Sequence, residues 1–275
     1  MLAARLVLIP PAAPALGVRH APANIAGSFL LVVAMIASFV FSWAPYAGDY
    51  SRYLPADTPR RAVFWSAAAG SVLACGLVQS LGVAAGRAIG TSGSAVAILR
   101  AAMGPLAAPG LAIVVLGTVT ANVLNVYTGA ISTLSVGLRL PRAWMAVFFG
   151  LVGGALSWAA VARFSGNFEN FLLLISYWVA PWIGVILAWS MIHPLLPTED
   201  AAVRRRLLWA FVLGVLATVP FMNQALFVGP FARWLGGADI GYWVGFLVAF
   251  LLSRAALRTP QAGALRTRDD PSRSG

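Results

Sequence analysis

Apolar residues arrive along this chain in long, unbroken runs separated by short polar connections, without the strict apolar–polar alternation of a β-strand. Seven runs stand out, at about 25–47, 62–86, 106–131, 144–161, 171–192, 207–228 and 240–253. A helix crosses the hydrocarbon core of a bilayer, about 30 Å thick, in about 20 residues, so each run predicts a membrane-spanning helix. The last is short and needs its flanks, around Trp234 and Leu257, to complete the crossing. An eighth apolar stretch, 92–103, is brief and carries Arg100, which predicts a re-entrant or interfacial helix. The expected organisation is an irregular segment over 1–24, an all-α transmembrane bundle over 25–257, and a polar, arginine-rich, disordered tail over 258–275.

Composition sharpens this picture. The chain is 60% hydrophobic and only 10% charged, with a mean hydropathy of +0.84, against about 45–50% and about 25% in soluble domains. That excludes a water-soluble fold. The net charge of +11 comes from 19 basic residues, all of them arginine. Such a charge could suggest a nucleic-acid partner, but the arginines lie in the connections, where they orient helices and anchor them at lipid headgroups. The partner implied is the lipid bilayer.

Across alternate connections, one side collects Arg52, Arg60, Arg61, Arg139, Arg142, Arg204, Arg205, Arg206, Arg254, Arg258, Arg266, Arg268 and Arg273. The other holds Arg5, Arg19, Arg87, Arg100, Arg163 and Arg233. The positive-inside rule then puts the first group and the C-terminus in the cytoplasm of a multi-pass plasma-membrane protein, and the N-terminus outside. Arg5 and Arg19 would have to be exported ahead of the first helix with no convincing signal peptide, which predicts that preceding helices are missing. The single cysteine, Cys75, excludes an internal disulfide or a cysteine metal cluster. His20 and His193 flank apolar segments, as interfacial or loop residues do.

Two polar constellations interrupt the apolar pattern. The first run ends in Ser42-Trp43-Ala44-Pro45-Tyr46-Ala47-Gly48-Asp49-Tyr50-Ser51-Arg52-Tyr53-Leu54-Pro55. Proline removes a backbone donor and clashes with the preceding turn, so the helix is expected to break or kink near Trp43–Pro45. Transporters build binding sites from such breaks; an ordinary helix end with an aromatic belt fits the same residues equally well. Asp49 and Arg52, at i, i+3, are placed to pair and lock the helix end.

In the third run, Thr118, Thr120, Asn122, Asn125 and Tyr127 sit among apolar residues. Thr118, Asn122 and Asn125 fall on one helix face that continues through Gly129 to Ser132. This stripe is expected to face the bundle interior, since lipid cannot satisfy amides. Asparagine offers two donors and an acceptor, matching the edge of a planar, amide-like heterocycle, though interhelical hydrogen-bonding would use the same residues. Gly82/Gly86 and Gly150/Gly154 have the small-xxx-small spacing of close helix packing, and Pro181 is placed to kink the fifth span. Gln79, Asn167, Glu169, Asn170 and Asn223 stand singly. No phosphate-binding glycine loop, zinc-ligand spacing or paired carboxylate occurs, and no carboxylate lies deep in a run, so an enzyme is not expected.

The segments SWAPYAGDYSRYLP at 42–55, TANVLNVYTGAIS at 120–132 and NFENFLLLISYWVAPW at 167–182 resemble, in order and spacing, the nucleobase–cation symporters, which include cytosine, purine, allantoin and hydantoin permeases. Within them the chain looks most like the purine–cytosine permeases. The resemblance implies a twelve-helix, leucine-transporter-like protein with two inverted five-helix repeats and two extra helices. The seven runs would be helices six to twelve, with the first repeat missing or supplied by a separate chain.

The resemblance also implies site residues. A small residue and a stacking aromatic about ten positions before the aspartate select Ser38 and Phe39, with Trp43 a competing stacker. The asparagine ahead of the tyrosine selects Asn125, with Asn122 one turn earlier. A coupling cation would fall at Thr120, with Thr118 beside it. Sodium-coupled members carry two adjacent hydroxyl residues where this chain has Val119-Thr120, so proton coupling is slightly favoured over sodium, with its carrier in the missing half. No cofactor is implied. The expected function is cation-coupled transport of a nucleobase or related heterocycle such as cytosine, a purine or allantoin; the rival is a membrane scaffold or gene remnant that folds without transporting.

Overall fold

A computed structural model describes residues 24–90, 94–135, 141–160, 164–191, 201–224 and 226–258. The segments 1–23 and 259–275 and both histidines lie outside the described residues, as do the side chains of Asn167 and Glu169. Among the described residues the chain is all-helical, with one isolated antiparallel bridge between Asn223 and Val228.

The helices are α1 (Ile25–Phe41), α2 (Ala47–Ser51), α3 (Arg60–Ile89), α4 (Ala95–Met103), α5 (Ala107–Ser135), α6 (Arg142–Ala160), α7 (Phe164–Ser190), α8 (Ala201–Thr218), α9 (Pro230–Trp234) and α10 (Gly241–Arg258). Each of the seven expected spans contains a helix. Five stretches are long and apolar enough to cross a membrane: Ile25–Ser51, Arg60–Ile89, Val96–Thr133, Asn170–Ser190 and Gly241–Arg258. The apolar part of α6, Ala143–Ala159, is shorter, and α8 opens with Arg204, Arg205 and Arg206.

Local chemistry sets the boundaries. Asn24 caps α1 by accepting a 2.7 Å hydrogen bond from the Gly27 N–H, and Ser94 caps α4 by accepting from Ala97. Between α4 and α5, Gly104 adopts φ 55° ahead of Pro105, a conformation that an L side chain resists, and the chain makes a 3₁₀ turn there. The eighth apolar stretch is therefore a short helix leading directly into the long α5. The sixth span departs most from expectation. A helix over 207–228 was expected; α8 instead starts earlier and stops at Thr218, because Pro220 cannot donate to a continuing helix. The chain passes through the Val219–Phe221 3₁₀ turn and the Asn223–Val228 bridge before α9. α10 gains the extra turn that its apolar run lacked by extending to Arg258.

Among the described residues the chain divides into two compact units, one within 45–169 and one comprising 24–44 with 170–258. In the first, α4 packs on α3 and α5, and α5 packs on α6. Its buried core is small, centred on Ala88 and Ala102. In the second, α1, α7 and α10 bury Leu31, Ala34, Leu173, Tyr177, Ala180 and Tyr242 together, and α8 runs antiparallel to α10.

The close helix crossing lies in this second unit, away from Gly82/Gly86 and Gly150/Gly154, at glycines that include the equally spaced Gly245 of the Gly241/Gly245 pair. A Cβ on Gly214 would lie 2.7 Å from the Ala249 Cβ, and one on Gly245 would lie 2.4 Å from the Thr218 Cγ2 and 2.9 Å from the Pro181 ring. A Cβ on Gly184 would lie 2.6 Å from the Phe246 carbonyl oxygen. At Gly82, Gly150 and Gly154, by contrast, a Cβ would meet nothing within 4 Å. Spacing shows which glycines share a helix face, but whether another helix reaches that face depends on the tertiary arrangement.

Candidate functional site

The expected break in the first span is present. α1 ends at Phe41, Ser42 donates its N–H to Ser38 O and its hydroxyl to Phe39 O, and the Trp43 N–H reaches Val40 O. Pro45, with no donor to offer, then sits inside a 3₁₀ turn, Ala44–Tyr46, before the five-residue stub α2. On the helical side of the break, Ser38 is fully buried and donates to Ala34 O at 2.6 Å, while Phe39 and Trp43 are 38% and 42% exposed.

The stub is held by charge. Asp49 lies in its first turn, where the helix dipole favours an anion, and pairs with Arg52 at 3.0 Å as its spacing predicted. Arg52 also directs its Nε toward Gly48 O, closing the C-terminal end of the stub. The remaining carboxylate oxygen of Asp49 accepts a 2.6 Å hydrogen bond from the hydroxyl of Thr128 in α5. Thr128 is buried and was not singled out from sequence. One turn later the Tyr127 phenol, close to that of Tyr53, raises the Tyr53 phenol above its ordinary pKa.

Within α5, Thr118 and Thr120 donate their hydroxyls to Val114 O and Leu116 O, which still leaves each oxygen able to accept. Asn125 donates from Nδ2 to the Asn122 Oδ1 at 3.3 Å. The pair keeps the Asn125 Oδ1 acceptor and the Asn122 amino donors uncommitted by that bond. The stripe does not face an interior of this chain's own making: Thr118, Thr120, Asn122 and Asn125 are all exposed. Its far end, at Gly129, is covered by the Phe149 ring of α6, and the amides beyond it are open. Ser38, Phe39 and Trp43 fall in the second compact unit, and the four α5 residues in the first.

A second buried polar centre was not foreseen. Asp239, fully buried in the connection before α10, accepts from the Tyr177 hydroxyl of α7, from the Asn223 N–H at 2.8 Å and from the Gly241 N–H at 3.1 Å. Burial pushes its carboxyl above the usual range, against the pull of the three donors. The signal in the sequence is faint, a lone acid between Gly236-Gly237 and Gly241 beside an apolar run. Among the described residues no cluster of three or more histidine, cysteine or acidic side chains could hold a metal.

Long apolar helices, one of them broken at a Trp-Ala-Pro sequence and another carrying exposed amides, describe an integral membrane protein. The profile of the permeases for cytosine/purines, uracil, thiamine and allantoin matches residues 9–245, and the chain belongs to that family, whose members are transporters and not enzymes. It is 32% identical over 246 residues to the putative purine-cytosine permease YxlA of Bacillus subtilis, a match covering 82% of this chain and 53% of the relative. It is 28% identical to the purine-cytosine permease fcyB of Emericella nidulans, over 81% of this chain and 49% of the relative. A purine-cytosine permease of Saccharomyces cerevisiae is 25% identical over 84% and 49% respectively. The chain thus spans about half the length of the curated relatives it matches. No solved structure gives a significant match.

Proposed function

We propose that this chain forms the second helical repeat and the two following helices of a cation-coupled transporter for a nucleobase or related heterocycle, such as cytosine, a purine or allantoin. Transport requires a first repeat, encoded upstream or supplied by a separate chain. Family membership over 9–245 carries this reading, supported by printed purine-cytosine permease names among the relatives. The exposed Asn122–Asn125 pair supports it chemically, offering both donor and acceptor to the edge of a heterocycle.

In this reading Phe39 or Trp43 stacks on the base, Ser38 lets it approach, and Asn122 and Asn125 read its edge. Thr120 and Thr118 offer the oxygens for a cation. Only one of the two adjacent hydroxyls of sodium-coupled members is present, which favours the proton as coupling ion. The arginine-rich connections face the cytoplasm of a plasma membrane.

The test is uptake of radiolabelled cytosine, adenine, hypoxanthine and allantoin in a permease-deficient strain. Residues 1–275 alone are expected to be inactive, because a site that leaves most of its ligand wet falls short of the burial of about 70–90% that ligand pockets provide. A version extended by five upstream helices is expected to be active. In it, Asn125→Ala abolishes uptake at unchanged membrane abundance, and Phe39→Ala weakens affinity by about one to two factors of ten. Saturable uptake by the short chain removes the requirement for a first repeat; indifference to both substitutions removes the site assignment.

A further inference from the structure

The contact between Asp49 and Thr128 joins the two polar constellations of the chain. Asp49 sits on α2, a stub of five residues whose N-cap residue, Tyr46, makes no side-chain cap hydrogen bond. So short a helix has no independent stability, and the 3₁₀ turn before it gives the backbone no continuous hydrogen-bond ladder back to α1. What fixes the stub against the rest of its unit is side-chain chemistry. The Asp49 side chain is only 9% exposed, with one oxygen on the Arg52 guanidinium and the other on the Thr128 hydroxyl.

Thr128 follows Asn125 by three residues, one turn along α5, or about 4.5 Å at about 1.5 Å per residue. A helix turn between them is rigid compared with the broken stretch at 42–46. Losing Thr128 would leave a buried carboxylate oxygen without its donor, which is costly in a way that losing an exposed ion pair is not.

We propose that Thr128 and Asp49 are positioning residues: their hydrogen bond clamps the stub after the helix break onto α5 beside the Asn122–Asn125 pair, so that displacement of the stub and reorientation of the amides are one movement. Arg52 holds the other Asp49 oxygen at 3.0 Å and so aims the carboxylate at Thr128 while it closes the end of the stub. The consequence for substrate rests on the transport reading above; the clamp itself does not.

The experiment has two arms. In the 275-residue chain in lipid nanodiscs, with Cys75→Ser, spin labels are placed at Ser51→Cys on the stub and Ala108→Cys at the opposite end of α5, about 30 Å of helix from Thr128. The parent is expected to give one narrow distance distribution, Thr128→Val to broaden it, and Thr128→Ser, which returns the hydroxyl, to restore it. A distribution unchanged by Thr128→Val overturns the clamp. Asp49→Leu, which roughly keeps the volume but offers no acceptor, guards against an effect peculiar to position 128: it must broaden the distribution as Thr128→Val does, and failure to do so equally overturns the clamp.

In the second arm, the extended permease carrying Thr128→Val is expected to show KM for cytosine raised about tenfold, with Thr128→Ser near the parent, as loss of one hydrogen bond to a charged group would give. A parent that takes up no nucleobase defeats the functional reading and leaves the clamp to the distance arm. Active transport with KM unmoved by Thr128→Val overturns the positioning role.

Discussion

Replacing Gly245 by alanine tests the packing of the second unit directly. Gly245 lies where α10 meets α8, and a Cβ there would stand 2.4 Å from the Thr218 Cγ2, 2.9 Å from the Pro181 Cγ and 3.0 Å from the Gly214 carbonyl oxygen. Carbon atoms in contact normally sit about 3.5–4.0 Å apart, so the helices would have to separate by about 1 Å. None of the three neighbours can yield cheaply. Thr218 is β-branched, fully buried and tied to Val215 O at 2.7 Å; Pro181 is a ring inside α7; the third is backbone. Overpacking costs about 1–3 kcal/mol, and the upper end applies here. Alanine recovers up to about 1 kcal/mol of helix propensity, leaving a net loss of about 2 kcal/mol. That lowers the folded-to-unfolded ratio about thirtyfold.

The same substitution at Gly82, where a Cβ meets nothing within 4 Å, keeps only the propensity gain. It should stabilise the chain by up to about 1 kcal/mol. SDS titration in mixed micelles, followed by circular dichroism and tryptophan fluorescence, reads both variants. If Gly245→Ala unfolds at the parent's midpoint or above it, the close crossing of α7, α8 and α10 is refuted.

Tyr177→Phe removes one donor to the buried Asp239 carboxylate and should lower stability by about 1.5–3 kcal/mol in the same titration; no change would show the hydroxyl idle. Because burial raises the folded-state pKa of Asp239, its stabilising contribution is full below the unfolded carboxyl pKa and is lost as pH rises through the raised value, so the parent should be more stable at mildly acidic pH than at neutrality. Asp239→Asn should flatten that slope, and a parent already flat between pH 4 and pH 8 on the order of a whole titration range would exclude the effect. Asn24→Ala, which removes the cap bonded to Gly27 N, should cost about 1 kcal/mol and fray the start of α1, seen as faster amide exchange at Gly27.

Among the described residues hydropathy located the long helices, with only the sixth displaced toward the N-terminus, because a segment in lipid that does not join a closed barrel must satisfy its own backbone as a helix. The break at 43–45 was equally legible, since proline acts on the residues next to it in sequence, as was the Asp49–Arg52 pair, one helical turn apart. These are local effects. What the sequence left open depended on which distant segment arrives at a given face. Thr128 looked like any hydroxyl in an apolar helix until folding brought Asp49, 79 positions away, against it. Asp239 looked like a connection residue until Tyr177, 62 positions earlier, donated to it. Gly241/Gly245 share the spacing that drew attention to Gly82/Gly86 and Gly150/Gly154, yet another helix meets the glycine face at Gly184, Gly214 and Gly245 and not at Gly82, Gly150 or Gly154. The amide stripe on α5 could be read as a face but not as an exposed one, because exposure depends on the neighbours that pack there. Periodicity and breakers determine the elements; a buried carboxylate's donors and a glycine's neighbour exist only once the chain has folded.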